Sequence, residues 1–316
     1  MGTFNEKTTA QNVIDALGSE AAGKTFVVTG PSQGGIGASA AIHLAKAKPA
    51  SIVLAGRSLD KIQPVIDGIK GIDPSISVHF VSLDLLDRAS VRQAGAEIKR
   101  LTDGISALIN NAGIMAVEHF TKSKDGVEGQ FETNHVGHFL LTSILMPELR
   151  KEKGVVINVS SLGYMYGGNW DLEDTNFEGG KTYDCWEAYG RSKLANVLFG
   201  IELGKRMSKF GGAAFSVHPG SKLLANSDVN EKRLNAAFED ATKKNGGVAP
   251  VQRVATIEQG AANLILPALD PELRKSSGAF ITECGISSVP DWAGGADRPE
   301  KLWRLSEKLI GQEVVV

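Results

Sequence analysis

Short runs of β-branched and aromatic residues recur along the chain, separated by segments with helical periodicity, at the spacing of repeated strand–helix units. Phe26-Val27-Val28-Thr29 is the first. Residues 51–55 follow an alanine-rich segment that Pro49 stops, and 77–81, 107–109, 155–159 and 214–217 continue the series, with 278–281 as a late seventh. The runs are apolar nearly throughout rather than alternating, the pattern of parallel strands covered on both faces. Helical periodicity is clearest over 124–150 and 187–209. No repeat, low-complexity tract or Pro/Ser-rich linker divides the chain. These features predict one α/β domain over 23–316, a doubly wound parallel sheet of about seven strands with helices on both faces. An N-terminal extension (1–22) precedes it, and 222–316 forms a lid and C-terminal region. Within that region 226–245, with Asp228, Glu231, Lys232, Arg233 and Lys243, reads equally as a charged lid and as an ordinary solvated helix.

The 316 residues suffice to bury a sizeable core, and 42% hydrophobic with 22% charged residues is ordinary for a globular enzyme. A net charge of −2 gives no reason to expect nucleic acid or an anionic membrane as partner. Cys185 and Cys284 form no metal or disulfide pattern and suit a reducing compartment. The first twenty residues are polar, without an apolar run of signal length, and Met1-Gly2 with Glu6 and Lys7 lacks the Ser or Thr of a myristoylation motif. No stretch approaches the ~20 apolar residues of a membrane span. The expectation is a cytoplasmic protein; a homodimer or homotetramer is compatible with these features. His135, His138 and His218 are not spaced around a metal and read as structural, so no metal is expected.

Directly after the first run comes Thr29-Gly30-Pro31-Ser32-Gln33-Gly34-Gly35-Ile36-Gly37, which opens the first helix. Glycines in a strand–turn–helix context let backbone approach a pyrophosphate, whose charge meets free N–H groups at the helix N-terminus. The second run ends in Ala55-Gly56-Arg57-Ser58. An acidic residue there would accept the ribose 2′-hydroxyl of NAD, whereas Gly56 repels nothing and Arg57 can grip a phosphate, so NADP(H) is expected as cofactor. The alternative is that Arg57 merely ends a strand at the surface. Later, Tyr189 and Lys193 stand one helical turn apart on one face. An ammonium beside a phenol favours the phenolate, and this spacing predicts a tyrosine whose pKa is drawn down toward neutrality for proton transfer. The same spacing occurs on many solvated helices, and it gains weight only from the rest of the chain.

Taken together the motifs resemble those of the short-chain dehydrogenase/reductase family, over about 24–220: the glycine turn, Asp84-Leu85, Asn110-Asn111-Ala112-Gly113, Asn134, Ser160-Ser161, Tyr189…Lys193 and His218-Pro219-Gly220. The resemblance is closest to the retinol-dehydrogenase-like branch and related fungal reductases. It rests on Ala55-Gly56-Arg57, on Asn134-His135-Val136-Gly137-His138-Phe139-Leu140-Leu141-Thr142 and on Tyr189-Gly190-Arg191-Ser192-Lys193-Leu194-Ala195-Asn196. It implies a Rossmann fold and an NADP-dependent carbonyl reductase or alcohol dehydrogenase. Tyr189 would pass the proton, Lys193 would lower its pKa and hold the nicotinamide ribose, Ser161 would bond the substrate oxygen, and Asn134 would help hold a water in a relay to Lys193. Cofactor contacts would come from Gly30, Ser32, Gly34, Gly35, Ile36, Gly37, Arg57, Asp84, Leu85, Asn111, Ala112, Gly113, Tyr189, Lys193, Pro219 and Gly220, with Asn110 also expected along the ribose. The glycine turn is one residue longer than the family's, leaving open whether Gly34 or Gly35 is its middle glycine. Where the family places a threonine after Pro-Gly, this chain has Ser221-Lys222-Leu223-Leu224, with Ser221 as the substitute. A non-catalytic NADP-sensing regulator and an isomerase or dehydratase on the same fold are the competing functions. Between Ser161 and Tyr189 lie Tyr164, Met165, Tyr166, Trp170, Phe177, Tyr183 and Trp186. They fit an apolar or ring-bearing substrate, or else a flap packed on its own aromatics.

Overall fold

The computed structural model describes residues 4–168, 170–220, 231–249 and 254–316. A helix α1 (Ala10–Leu17), capped by the Thr9 hydroxyl, precedes β1 (Thr25–Thr29). Alternation then runs through α2 (Ile36–Ala45), β2 (Ser51–Gly56), α3 (Leu59–Ile72), β3 (Ser77–Ser82), α4 (Arg88–Leu101) and β4 (Ala107–Asn110). Next come α5 (Gly137–Lys151), β5 (Val155–Val159), α6 (Cys185–Met207), β6 (Ala213–His218), α7 (Glu231–Lys244), α8 (Ile257–Leu269), β7 (Phe280–Thr282), β8 (Gly285–Ser287) and α9 (Arg298–Ile310).

The strands form one sheet in the order β3-β2-β1-β4-β5-β6-β7-β8. All neighbours are parallel except β7 and β8. The order reverses between β1 and β4, the place where doubly wound sheets open a crevice at their carboxyl ends. Successive residues of β1 feed opposite faces. Val27 joins a core with Leu108, Val156, Leu140 and Leu198 under α4, α5 and α6, whereas Phe26 and Val28 pack with Leu44, Ile109, Ile157 and Leu264 under α1, α2 and α8.

Two expectations are corrected. Among the described residues the sheet has eight strands, because Thr282 and Gly285 pair across Glu283 and Cys284, both at positive φ (54° and 59°). Such hairpins normally carry Asn-Gly or Asp-Gly, and Glu-Cys sends no turn signal. The helix expected from 124 starts late: Gly126 (φ 84°) turns the chain, and the buried Glu128 carboxylate accepts the N–H groups of Gln130 and Phe131. A π-turn, Glu132–Val136, then leads into α5. Among the described residues no helix is long and apolar enough to cross a membrane, and no group of three or more His, Cys, Asp or Glu could hold a metal.

Candidate active site

A cleft of about 640 Å³ opens at the carboxyl ends of β1, β2, β4, β5 and β6. Its floor is the turn after β1. Gly30 has φ 65°, and a Cβ on it would stand 2.8 Å from the Ala112 Cα, so shape and space both demand glycine. Ser32, Gly35 and Ile36 line the cleft, and among the described residues no side chain caps the N-terminus of α2 at Gly35. The N–H groups of its first turn therefore have no intrahelical partner. Gly35, in ordinary extended backbone, is the turn glycine at the cleft; Gly34 (φ 77°) makes the bend, with open space around it, and does not line the cleft. Gly37 also lies off the lining: a Cβ there would meet the Asn111 side chain, with Cγ at 2.9 Å. Asn111 Nδ2 in turn donates to the Thr29 and Gly30 carbonyls at 2.8 and 3.2 Å, fastening the turn to the loop after β4.

At one end of the cleft stand Arg57, Ser58 and Lys61, and neither cation is ion-paired with a described residue. Lys61 was not anticipated from the sequence; its position four after Arg57, in the first turn of α3, was the available signal. Its carbonyl accepts the Gln33 N–H at 2.9 Å, which ties α3 to the glycine turn. Asp84 and Leu85 line the wall, with Asp84 Oδ1 accepting the Leu86 N–H at 3.0 Å within its own turn. Asn111, Ala112 and Gly113 line it too, but Asn110 does not. Asn110 is the last residue of β4 and is buried, with Nδ2 donating to Thr142 Oγ1 and Asn158 Oδ1 at 3.0 and 2.9 Å. Strand alternation turns it into the fold and leaves the lining to Asn111.

Ser161, Tyr189 and Lys193 come together at the other end, with Pro219 and Gly220 behind them. The Gly163 site measures their proximity: a Cβ there would lie 2.9 Å from Tyr189 Cε1 and 3.2 Å from Ser161 Oγ. Ser160 points inward and donates to the Lys193 carbonyl at 2.7 Å, fixing β5 to α6. Lys193 Nζ donates to the Val159 carbonyl at 3.0 Å and lies 5.6 Å from the centre of the Tyr189 ring. Burial pushes the Tyr189 phenol up to about 12, with the Ser161 hydroxyl pulling down and Tyr166 adding to the rise. Burial also draws Lys193 down to about 8. The expected depression of the tyrosine is thus absent in the protein by itself, because desolvation outweighs an ammonium that is turned toward a carbonyl.

Asn134 lies in the π-turn, fully buried. Its Oδ1 accepts the Ile114 N–H at 2.8 Å, and its Nδ2 donates to the Ile114 carbonyl and to Ser192 Oγ, both at 2.9 Å. With both amide hydrogens engaged, the side chain clamps the loop after Gly113 and has no free donor for a water. His138 sits one turn on, fully buried and held down to about 4 by desolvation. His218 lines the cleft, its Nδ1 accepting the Leu162 N–H at 3.3 Å.

The aromatic stretch divides. Tyr166, Tyr183 and Trp186 cluster around Tyr189 with Met115, whereas Tyr164, Met165 and Trp170 belong to the core under α6. Trp170 therefore cannot line a substrate pocket: it stacks edge-on to Phe131 and lies under the Arg191 guanidinium. Leu234, Ala237, Phe238 and Ala241 of α7 face the Tyr189 cluster at helical spacing, so this part of 226–245 packs over the site. Residues 221–230, which include Ser221, the Lys222-Leu223-Leu224 segment and Asp228, lie outside the described residues, and the side chains of 231–233 go undescribed.

The short chain dehydrogenase family model matches residues 24–171. Retinol dehydrogenase 13 from Homo sapiens is 33% identical over 294 residues, 92% of this chain and 86% of that protein. Oxidoreductase fscI from Fusarium equiseti is 34% identical over 69% of this chain and 95% of its own length. Among solved structures, an uncharacterised protein from Mycobacterium paratuberculosis superposes with a TM-score of 0.70 at 30% identity, covering 93% of this chain and 96% of that one. Fold, order of motifs and relatives matched over nearly the whole chain agree, and the chain belongs to the short-chain dehydrogenase family.

Proposed function

We propose that the protein is an NADPH-dependent carbonyl reductase acting on an apolar ketone or aldehyde, with Tyr189 as proton donor. Members of the family use NAD(P)(H). The residues present fit such a group: an open glycine turn beneath a helix N-terminus that no described side chain caps suits a pyrophosphate, and Arg57 with Lys61 suits a further phosphate. The single observation that carries the reading is the grouping of Ser161, Tyr189 and Lys193 at the end of the cleft opposite Arg57.

When bound, a reduced nicotinamide supplies the hydride. The protein must supply a proton and a site for the developing alkoxide. Tyr189, at about 12, is protonated at neutral pH and is the donor. Ser161 bonds the same oxygen and orients it between two hydroxyls. Lys193, at about 8, carries its charge near pH 7 and stands beside the tyrosinate that proton transfer leaves. In a reducing compartment such as the cytoplasm the reaction runs toward the alcohol. Tyr166, Trp186, Met115 and Phe238 shelter the apolar body of the substrate.

A screen of NADPH oxidation against ketones, aldehydes and quinones tests this. Burying about 100 Å² more apolar surface is worth roughly 2.5 kcal/mol, tens-fold in kcat/KM. The expected result is a rise of that size from acetone-sized ketones to bicyclic or long-chain ones. Better turnover of sugars, or substrate conversion with no net NADPH consumption, would count against it.

A further inference from the structure

The Thr29 hydroxyl oxygen, at the end of β1, receives the N–H groups of Asn111 and Ala112 at 2.9 and 3.0 Å. Its own proton is left to give. His138 Nε2 lies 2.9 Å away, nearer than the Ile109 carbonyl at 3.4 Å. Across the ring, Nδ1 lies 3.1 Å from the Asn134 carbonyl oxygen, which can only accept. Nδ1 therefore carries the ring's proton and Nε2 accepts from Thr29. The neutral ring is a spacer of fixed length and polarity between two parts of the cleft. On one side are the Asn111 and Ala112 peptides, which line the dinucleotide wall. On the other is the π-turn, whose Asn134 holds Ile114 and Ser192, the latter donating to the Tyr189 carbonyl at 2.7 Å.

We infer that His138 is a positioning residue of the reaction, its two ring nitrogens separately setting the cofactor wall through Thr29 and the catalytic helix through Asn134. The inference rests on the oxidoreductase reading above. In the sequence His138 stands within the segment that carries the family resemblance, yet a histidine inside an apolar helix reads as structural.

The two bonds can be cut one at a time. His138→Asn places an amide nitrogen where Nδ1 stands, keeps the Asn134 contact and cannot reach Thr29. The Kd for NADPH should rise about tenfold, the scale of one buried hydrogen bond, with kcat within about threefold of wild type. His138→Gln reaches Thr29 with its amide oxygen and releases Asn134. There kcat should fall about tenfold, with the Kd within about threefold. Proportional losses of both quantities in both variants, no loss in either, or failure of both to fold would overturn the inference. The wild type gives a measurement that needs no variant: ¹⁵N NMR of the His138 ring should show Nδ1 protonated and Nε2 bare, and the opposite tautomer would also overturn it. Titration of the wild type with NADPH separates the two claims, because absence of binding there counts against the NADPH-dependent reading while the tautomer still decides His138.

Discussion

Gly190 follows the proposed proton donor on α6, and replacing it with alanine isolates how closely Ser161 must be held against Tyr189. An alanine Cβ at 190 would lie 2.5 Å from the Tyr166 carbonyl carbon and nearer still to the Gly167 amide nitrogen. The facing Gly167 is tight too, its own Cβ site 2.8 Å from the Gly190 carbonyl carbon. Both obstacles are backbone, which cannot rotate aside as a side chain can. Carbon contacts are comfortable from about 3.5 Å, so the 3₁₀ turn Leu162–Gly167 must retreat by about 1 Å. That turn is capped by Ser161, whose Oγ accepts the Gly163 N–H at 2.9 Å, so the retreat carries the serine with it. Overpacking of this kind costs about 1–3 kcal/mol, and a misplacement of about 1 Å costs about a hundredfold in rate. Gly190→Ala should therefore unfold at lower temperature and lose about two orders of magnitude in kcat. Its Kd for NADPH should stay within about threefold, because the glycine turn lies along another part of the cleft. Gly71→Ala is the control: among the described residues, nothing beyond its chain neighbours and its own helix backbone lies within 4 Å of its Cβ site, and replacing a helical glycine should leave stability unchanged or raise it by up to about 1 kcal/mol. Wild-type kcat and stability in Gly190→Ala would refute the packing argument.

Two further outcomes are expected. Wild type should bind NADPH at least about tenfold tighter than NADH, about 1.4 kcal/mol, and Arg57→Ala should erase most of that ratio in cofactor titrations; an unchanged ratio would move the phosphate elsewhere. Acid should destabilise the fold through its buried histidines. Burial holds His135 at about 3 and His138 at about 4, against 6.5 ordinarily. Between those values and 6.5 the unfolded chain binds protons the folded chain does not, so stability falls as pH drops from about 6.5 to about 4. The slope is about 1.4 kcal/mol per pH unit for each histidine. Glu128 and Glu132, raised by burial, oppose this trend. The comparison is therefore between wild type and His135→Phe in urea titrations from pH 6.5 to 5, where the variant should lose one histidine's share; equal slopes would contradict it.

The strand series was readable in the sequence because doubly covered strands are apolar at most positions, and the glycine turn because its residues must bend and be small at once. What escaped depends on distant contacts. The β7–β8 hairpin turns on Glu283 and Cys284, whose left-handed backbone only the paired strands enforce. The π-turn that delivers Asn134 has no sequence signature. Asn110 and Asn111 are adjacent and alike in chemistry, and only the pairing of Asn110 with Asn158 across β4 and β5 turns one inward. Trp170 looked like part of a substrate wall by its neighbours in sequence, yet Phe131 and Arg191 hold it in the core. The tyrosine–lysine spacing gave the pair but not its electrostatics, because desolvation is a property of the closed fold.

The account stands most directly on Tyr189→Phe, which removes one hydroxyl from a buried ring and leaves the cleft otherwise intact. Steady-state turnover of the best carbonyl substrate and NADPH titration, run on the same preparation, give the answer. Turnover should fall about 10²–10⁴-fold, the usual worth of a positioned proton donor, while the NADPH Kd stays within about threefold. Lys193→Ala should damage both. Substantial turnover in Tyr189→Phe would mean that another group delivers the proton and that the site is misassigned.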